Sequence, residues 1–140
     1  ARFVGWEVLC LGRPHAGEAF AGTVRAAFEI WRDGQPCWAE RLRYDADTVA
    51  APWALRGHTV SGTLLASPVA GTDGARAALD GAAACDPTVL HGASVVDGVL
   101  AVRVLGPGAE PVQRVLTAVW AALRPDLLDR PACPPRVWNT

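Results

Sequence analysis

The chain has 140 residues, 51% of them hydrophobic and 19% charged, and its formal net charge is −1. A single domain of this length buries roughly 70% of the surface that its unfolded chain exposes, so a substantial core is expected. The balanced charge excludes the broad basic surface of a nucleic-acid-binding protein, and the apolar content excludes disorder. No apolar run approaches the ~20 residues that a membrane helix needs, so we expect no membrane association.

Alternating apolar residues and the turn residues between them predict strands along most of the chain. The predicted strands cover residues 2–12, a hairpin over 20–44 with an Asp-Gly tip, 58–67, 88–95 and 99–105. Residues 46–56 predict a loop, and the alanine-rich residues 74–84 predict a short, weak helix.

The register of the hairpin can be predicted by comparing loop lengths. A three-residue loop at the tip separates apolar from charged side chains better than a two-residue Asp-Gly loop does. It predicts that Val24 faces Leu42 and that Phe28 faces Trp38. It also places four charged side chains together on the opposite face, namely Arg25, Glu29, Arg41 and Arg43.

The clearest helical pattern lies late in the chain, where apolar residues recur three and four positions apart and form one stripe. These residues are Val112, Val115, Leu116, Val119, Trp120 and Leu123. Pro111 suits the first helical position, where its missing N–H costs nothing. Pro125 disfavours helical backbone at Arg124 and is predicted to end the helix. The sequence therefore predicts a mainly β domain with two late helices.

Few patterns in the chain point to chemistry. It contains no GxGxxG or GxxxxGK[ST] motif for a nucleotide and no GxSxG elbow for a hydrolase. Its three histidines are isolated in sequence, and its four cysteines form no CxxC or CxxH pair for zinc. We therefore expect no catalytic residue and no tightly bound cofactor, with reduced thiols in a cytoplasmic protein.

One carboxylate stands in an unusual position. Glu7 precedes the apolar run Val8–Leu11, and Arg13 follows that run after Gly12. Six extended residues span ~20 Å, so Glu7 and Arg13 cannot pair unless the chain folds back at Gly12. A carboxylate in apolar surroundings is costly without water or a partner. Glu7 therefore lies at a solvated edge, pairs with another arginine, or faces a wet internal passage that can hand on a cation.

Five segments carry a family resemblance: GWEVLCLGRPHAGEAF (5–20), EIWRDGQP (29–36), RVLG (103–106), VQRVLTAVWAALRPDLL (112–128) and PPRVWNT (134–140). In this order they resemble the C-terminal portion of the urease accessory protein family UreD, also called UreH. The Trp-Glu pair followed by LGR and the closing PRVWNT are the most specific pieces. Family members are longer, and the chain contains no methionine. We therefore expect residues 1–140 to be the C-terminal portion of a single UreD-like domain whose N-terminal part is missing.

The resemblance implies a fold and a non-enzymatic role. The implied fold is a β-helix-like stack of strands with two helices. The implied role is a scaffold for nickel insertion into apo-urease, with direct contacts to UreF and apo-urease, contact to the GTPase UreG through UreF, and an internal tunnel for Ni²⁺ in transit. On this interpretation Glu7, Arg13 and His15 line or gate the tunnel, and Glu7 is a weak oxygen ligand that does not retain the ion.

The C-terminal tail suggests a second role. Arg136, Val137 and Trp138 follow a proline-rich lead-in, and we expect this tail to dock, either on a partner protein or on its own domain. Without the resemblance, the whole pattern would describe an autonomous β-rich binding module of unknown ligand.

Overall fold

The computed structural model describes residues 1–13, 16–135 and 138. Its strands are β1 (Phe3–Cys10), β2 (Val24–Arg32), β3 (Gln35–Tyr44), β4 (Val60–Ser67), β5 (Leu90–Val96) and β6 (Val99–Gly106). Its helices are α1 (Ala46–Ala50), α2 (Asp73–Ala83) and α3 (Ala109–Leu128). The predicted mainly β fold class with two late helices is confirmed, and α1 adds a short helix where a loop was predicted. Within the described ranges, no helix combines the length and the apolar composition required to cross a bilayer.

The strands form two antiparallel sheets that stack on each other. Four strands pair in the order β1-β4-β6-β5, and β2 and β3 form a separate hairpin. The central strand β4 is buried at all eight positions. Its Leu64 and Ala66 pack with the helices, whereas Leu65 packs with the hairpin. Because successive side chains of a strand face opposite sides, the fold has three layers: the helices, the four-stranded sheet and the hairpin.

The apolar stripe of α3 supplies much of the core between the helices and the sheet. Its buried members are Val112, Val115, Leu116, Val119 and Trp120, as the spacing predicted. Gly62 of β4 lies directly beneath this helix, and a Cβ added there would lie 2.7 Å from Leu116 Cδ1. The close approach explains a glycine in the middle of a central strand.

Both predicted ends of α3 are wrong. The helix begins at Ala109, so Pro111 is its third residue. Backbone N–H groups in the first turn have no intrahelical acceptor, so the N–H that proline lacks costs no helical hydrogen bond there. Pro125 lies inside the helix, which continues to Leu128. Proline removes one helical hydrogen bond, but the side chain of Leu127 is buried in the core and holds the last turn in place.

The hairpin has a different register from the predicted one. Its tip is a two-residue turn in which Asp33 and Gly34 both have positive φ, 52° and 76°, as a type I′ turn requires. A β-bulge after Ile30 then shifts the pairing, so that Phe28 faces Glu40 and not the predicted tryptophan. The bulge, rather than a longer loop, turns the apolar side chains toward the sheet. The predicted outward face is confirmed as exposed, with Arg25, Glu29, Arg41 and Arg43 on it.

Candidate functional site

Glu7 lies in β1 and faces the hairpin. Its neighbours Trp6 and Val8 pack against the core on the helix side. Since alternate residues of a strand point to opposite faces, the Glu7 side chain projects into the space between the sheet and the hairpin, where it is half-buried.

Glu7 belongs to a row of polar residues that crosses the sheet. The register pairs Glu7 with Thr63 of β4 and Thr63 with Arg103 of β6. Neighbouring strands lie about 4.8 Å apart. Glu7 and Arg103 are therefore two strand spacings apart, with the buried Thr63 between them. From the facing hairpin, Glu40 forms a salt bridge with Arg103. We call Glu7, Thr63, Arg103 and Glu40 the interlayer cluster.

The interlayer cluster holds two carboxylates and one guanidinium, and burial has the largest effect on the pKa of Glu7. The pKa of the Glu7 carboxyl is raised above its ordinary value of 4.5, because burial disfavours the carboxylate; Arg103 opposes this effect and Glu40 adds to it. Arg103 donates through Nη2 to Glu40, while its Nη1 is buried without a hydrogen-bond partner among the described residues. Arg103 therefore hydrogen-bonds to Glu40, while it acts on Glu7 through its charge.

Two clefts flank the interlayer cluster. A cleft of about 400 Å³ is lined by Glu7 and Thr63 together with residues of β2. A second cleft, of about 480 Å³, is lined by Glu40 and other β3 residues together with Val96 at the end of β5. The first cleft includes residues of the edge strand β1 and the second the end of the edge strand β5, and Arg103 lies on β6, one of the two inner strands between these edges.

Arg13 is not part of the interlayer cluster. The chain folds back at Gly12, whose φ is +83°, and Arg13 donates hydrogen bonds of 2.8 and 2.7 Å to the Glu18 carboxylate. Both side chains are exposed, and Arg13 lines a different cleft, of about 450 Å³, beside the start of α3. The structure therefore does not bring Arg13 to Glu7. His15, the third predicted tunnel residue, lies outside the described residues.

Trp138 is part of an aromatic cluster on the helix side of β1. Its ring centroid lies 4.9 Å from that of Trp6 and 5.1 Å from that of Trp120. Trp138 keeps 36% of its surface exposed, so its docking on its own domain leaves part of the indole accessible. Arg136 and Val137 lie outside the described residues, and a partner contact through this tail stays a prediction.

The interlayer cluster suits a passing cation better than a resident metal. Across residues 1–13, 16–135 and 138, no group of three or more His, Cys, Asp or Glu side chains is placed to hold a metal ion. The cluster offers two carboxylates and a hydroxyl, and it lacks the imidazole and thiolate ligands that bind late transition metals more firmly.

Glu7→Gln is expected to raise the thermal unfolding midpoint at neutral pH. Because folding raises the pKa of Glu7 above 4.5, the folded state holds the proton more tightly than the unfolded state, and stability falls as pH rises through that range. Glutamine does not ionise, so its advantage should vanish below pH 4.5, where both side chains are neutral. Thermal unfolding of both full-length proteins across pH measures the difference. A lower midpoint for the variant at neutral pH would show that attraction to Arg103 outweighs burial.

Comparison with known proteins identifies the class of this chain as an accessory protein. The model of the UreD urease accessory protein family matches residues 1–139. The chain therefore belongs to the UreD family, as the sequence resemblance predicted.

Curated relatives are similar over the whole of this chain. The urease accessory protein UreD of Alkalilimnicola ehrlichii is 42% identical, and the alignment covers 100% of this chain and 48% of that protein. The UreD proteins of Citrobacter koseri and Klebsiella aerogenes are 40% and 39% identical to this chain. Their alignments cover 100% of this chain and 47% and 50% of those proteins, respectively. The chain spans about half the length of the curated relatives that it matches, and it corresponds to their C-terminal portion.

Proposed function

We propose that the protein is a scaffold in urease maturation that assists nickel insertion into apo-urease and catalyses no reaction itself. Membership of a urease accessory protein family supports the role in urease maturation. In this proposal Ni²⁺ is cargo in transit, no cofactor is tightly bound, and the protein works in the cytoplasm. Family membership favours this role over the autonomous β-rich binding module that the sequence patterns alone allowed.

We propose that the cation passes between the four-stranded sheet and the hairpin. The observation that supports this path is the position of Glu7, half-buried between the layers and lining a cleft of about 400 Å³. A carboxylate in such a place offsets the cost of removing a cation from water, because charges attract more strongly where the surroundings are less polar. Oxygen ligands alone hold Ni²⁺ weakly, so the ion is released again.

The proposed partners are UreF and apo-urease, in direct contact, and UreG through UreF. Trp138 supports the tail as a contact surface, because its indole is partly exposed and rests on Trp6, the residue beside Glu7 in β1. A partner that engaged Trp138, with Arg136 and Val137, would contact the helix side of β1, the face opposite the proposed passage.

The test is Glu7→Gln in the full-length protein, assayed for urease activation. Removing the negative charge is expected to lower activation about tenfold, the effect of ~1.4 kcal/mol of lost attraction. Glu110→Gln is a matched control, because the Glu110 side chain is 81% exposed at the start of α3, and this variant should activate urease like the unmodified protein. Capture of UreF is measured on the same samples.

The two readouts separate the possible roles of Glu7. Reduced activation with normal UreF capture supports the passage. Activation equal to that of the unmodified protein would remove Glu7 from the pathway. If the variant loses both UreF capture and urease activation, Glu7 is instead a structural residue.

A further inference from the structure

Arg103 lies on the inner strand β6 and meets Glu40 of the hairpin in the space between the layers. Glu7 lines the cleft that includes residues of the edge strand β1, and Glu40 lines the cleft that includes the end of the edge strand β5. Arg103 forms a salt bridge with Glu40, and the two side chains keep 32% and 22% of their surface exposed. Any ion that moved from one cleft to the other along the interlayer cluster would meet this guanidinium.

The guanidinium of Arg103 can serve either carboxylate. Arginine carries five N–H donors in a fixed planar fork, and Nη2 alone donates to Glu40. Nη1 is buried and has no partner within the described part of the chain. Glu7 already senses the positive charge of Arg103, because that charge lowers its pKa against the effect of burial. The guanidinium can therefore turn from Glu40 toward Glu7 and remain within the cluster.

Without Arg103 the same place would become a site that retains divalent cations. Glu7 and Glu40 would then leave two negative charges in a half-buried position, together with the Thr63 hydroxyl. Like charges in such a position repel one another and favour any cation that can bridge them. An accessory protein that must give up its ion would then hold it.

We propose that Arg103 is the gate of the passage: its guanidinium fills the position between Glu7 and Glu40, and it prevents a divalent cation from lodging against both carboxylates. This inference rests on the proposed function, since it concerns the same passage. The arriving ion binds at Glu7 while Arg103 remains on Glu40. As the ion moves on to Glu40, the guanidinium turns to Glu7, so the ion meets one carboxylate at a time.

The test is nickel retention by the full-length protein carrying Arg103→Gln. Glutamine keeps a hydrogen-bond donor for Glu40 and removes the charge. Equilibrium dialysis with Ni²⁺ alone is expected to give an affinity about tenfold or more above that of the unmodified protein. Arg103→Lys, which keeps the charge, should bind Ni²⁺ as the unmodified protein does. Arg25→Gln, on the outward face of the β2–β3 hairpin, is the matched control and should leave the Ni²⁺ affinity unchanged.

A gain of binding supports the gate only if it depends on Glu7, because a damaged structure also exposes thiols and imidazoles that bind Ni²⁺. Glu7→Gln combined with Arg103→Gln should cancel the gain, since the second carboxylate is gone. Unchanged affinity in a folded Arg103→Gln protein would overturn the gate. Glu40→Gln supplies a second measurement if Arg103→Gln does not fold: the freed guanidinium turns to Glu7, so Ni²⁺ affinity should fall several-fold, and an equal or higher affinity would overturn the proposal.

Failure of the gate can be told apart from failure of the passage. If Glu7→Gln loses urease activation while Arg103→Gln retains no additional nickel, the passage stands and the gate falls. If Glu7→Gln activates urease normally, the passage falls, whatever Arg103→Gln binds.

Discussion

Trp120→Ala is expected to lower the free energy of unfolding by about 3–5 kcal/mol. Trp120 is 3% exposed, and its ring centroid lies 6.1 Å from that of Trp6 and 5.1 Å from that of Trp138. The Arg124 guanidinium lies over the same ring, 4.9 Å from its centroid. Truncation would therefore leave a cavity where α3, β1 and the tail meet, and it would remove two aromatic contacts and one cation–π contact.

Chemical denaturation of the full-length protein measures this loss. Trp53→Ala is the matched control, because Trp53 is 82% exposed and its truncation should change stability by less than about 0.5 kcal/mol. Equal denaturation midpoints for the two variants would contradict the packing of α3 on the sheet. A large loss for Trp120→Ala alone supports it.

The core between the helices and the sheet is the part of the fold that the sequence predicts best. The apolar spacing in α3 is compatible with a helix only, and it identifies the buried face without any knowledge of the partner strand. Val115, Leu116 and Val119 are fully buried there. The ends of this helix were mispredicted because both prolines were read by local preference alone. Pro125 is accommodated by the burial of Leu127, a tertiary contact that local preference does not contain.

Much less of the candidate site could be predicted. Glu7 stood out because a carboxylate precedes an apolar run. It lies half-buried on the edge strand β1, and its place in a passage stays a prediction. Its neighbours could not be found in the same way. Arg103 is the one charged residue in the apolar strand VLAVRVLG, which is a signal, but its partner Glu40 lies 63 residues away. The predicted register differs from the observed one by two residues and so already places Glu40 on the inward face, but no sequence signal pairs Glu40 with Arg103.

The central claim of this account is that a cation passes between the hairpin and the sheet beside Glu7. Gly5 allows a test of that claim without any change of charge. It lies two residues before Glu7 on the same face of β1 and lines the same cleft, and a Cβ added there meets nothing within 4 Å. Gly5→Trp would therefore fill the cleft, and aromatic residues are well tolerated in strands.

Urease activation by full-length Gly5→Trp is the most direct measurement. Gly81→Trp is the matched control, because Gly81 is exposed in α2 and also has open space for a side chain. The account predicts that Gly5→Trp loses activation about tenfold, as expected for Glu7→Gln, while it still captures UreF and while Gly81→Trp remains active. Normal activation by a folded Gly5→Trp protein would contradict passage of the ion between the layers.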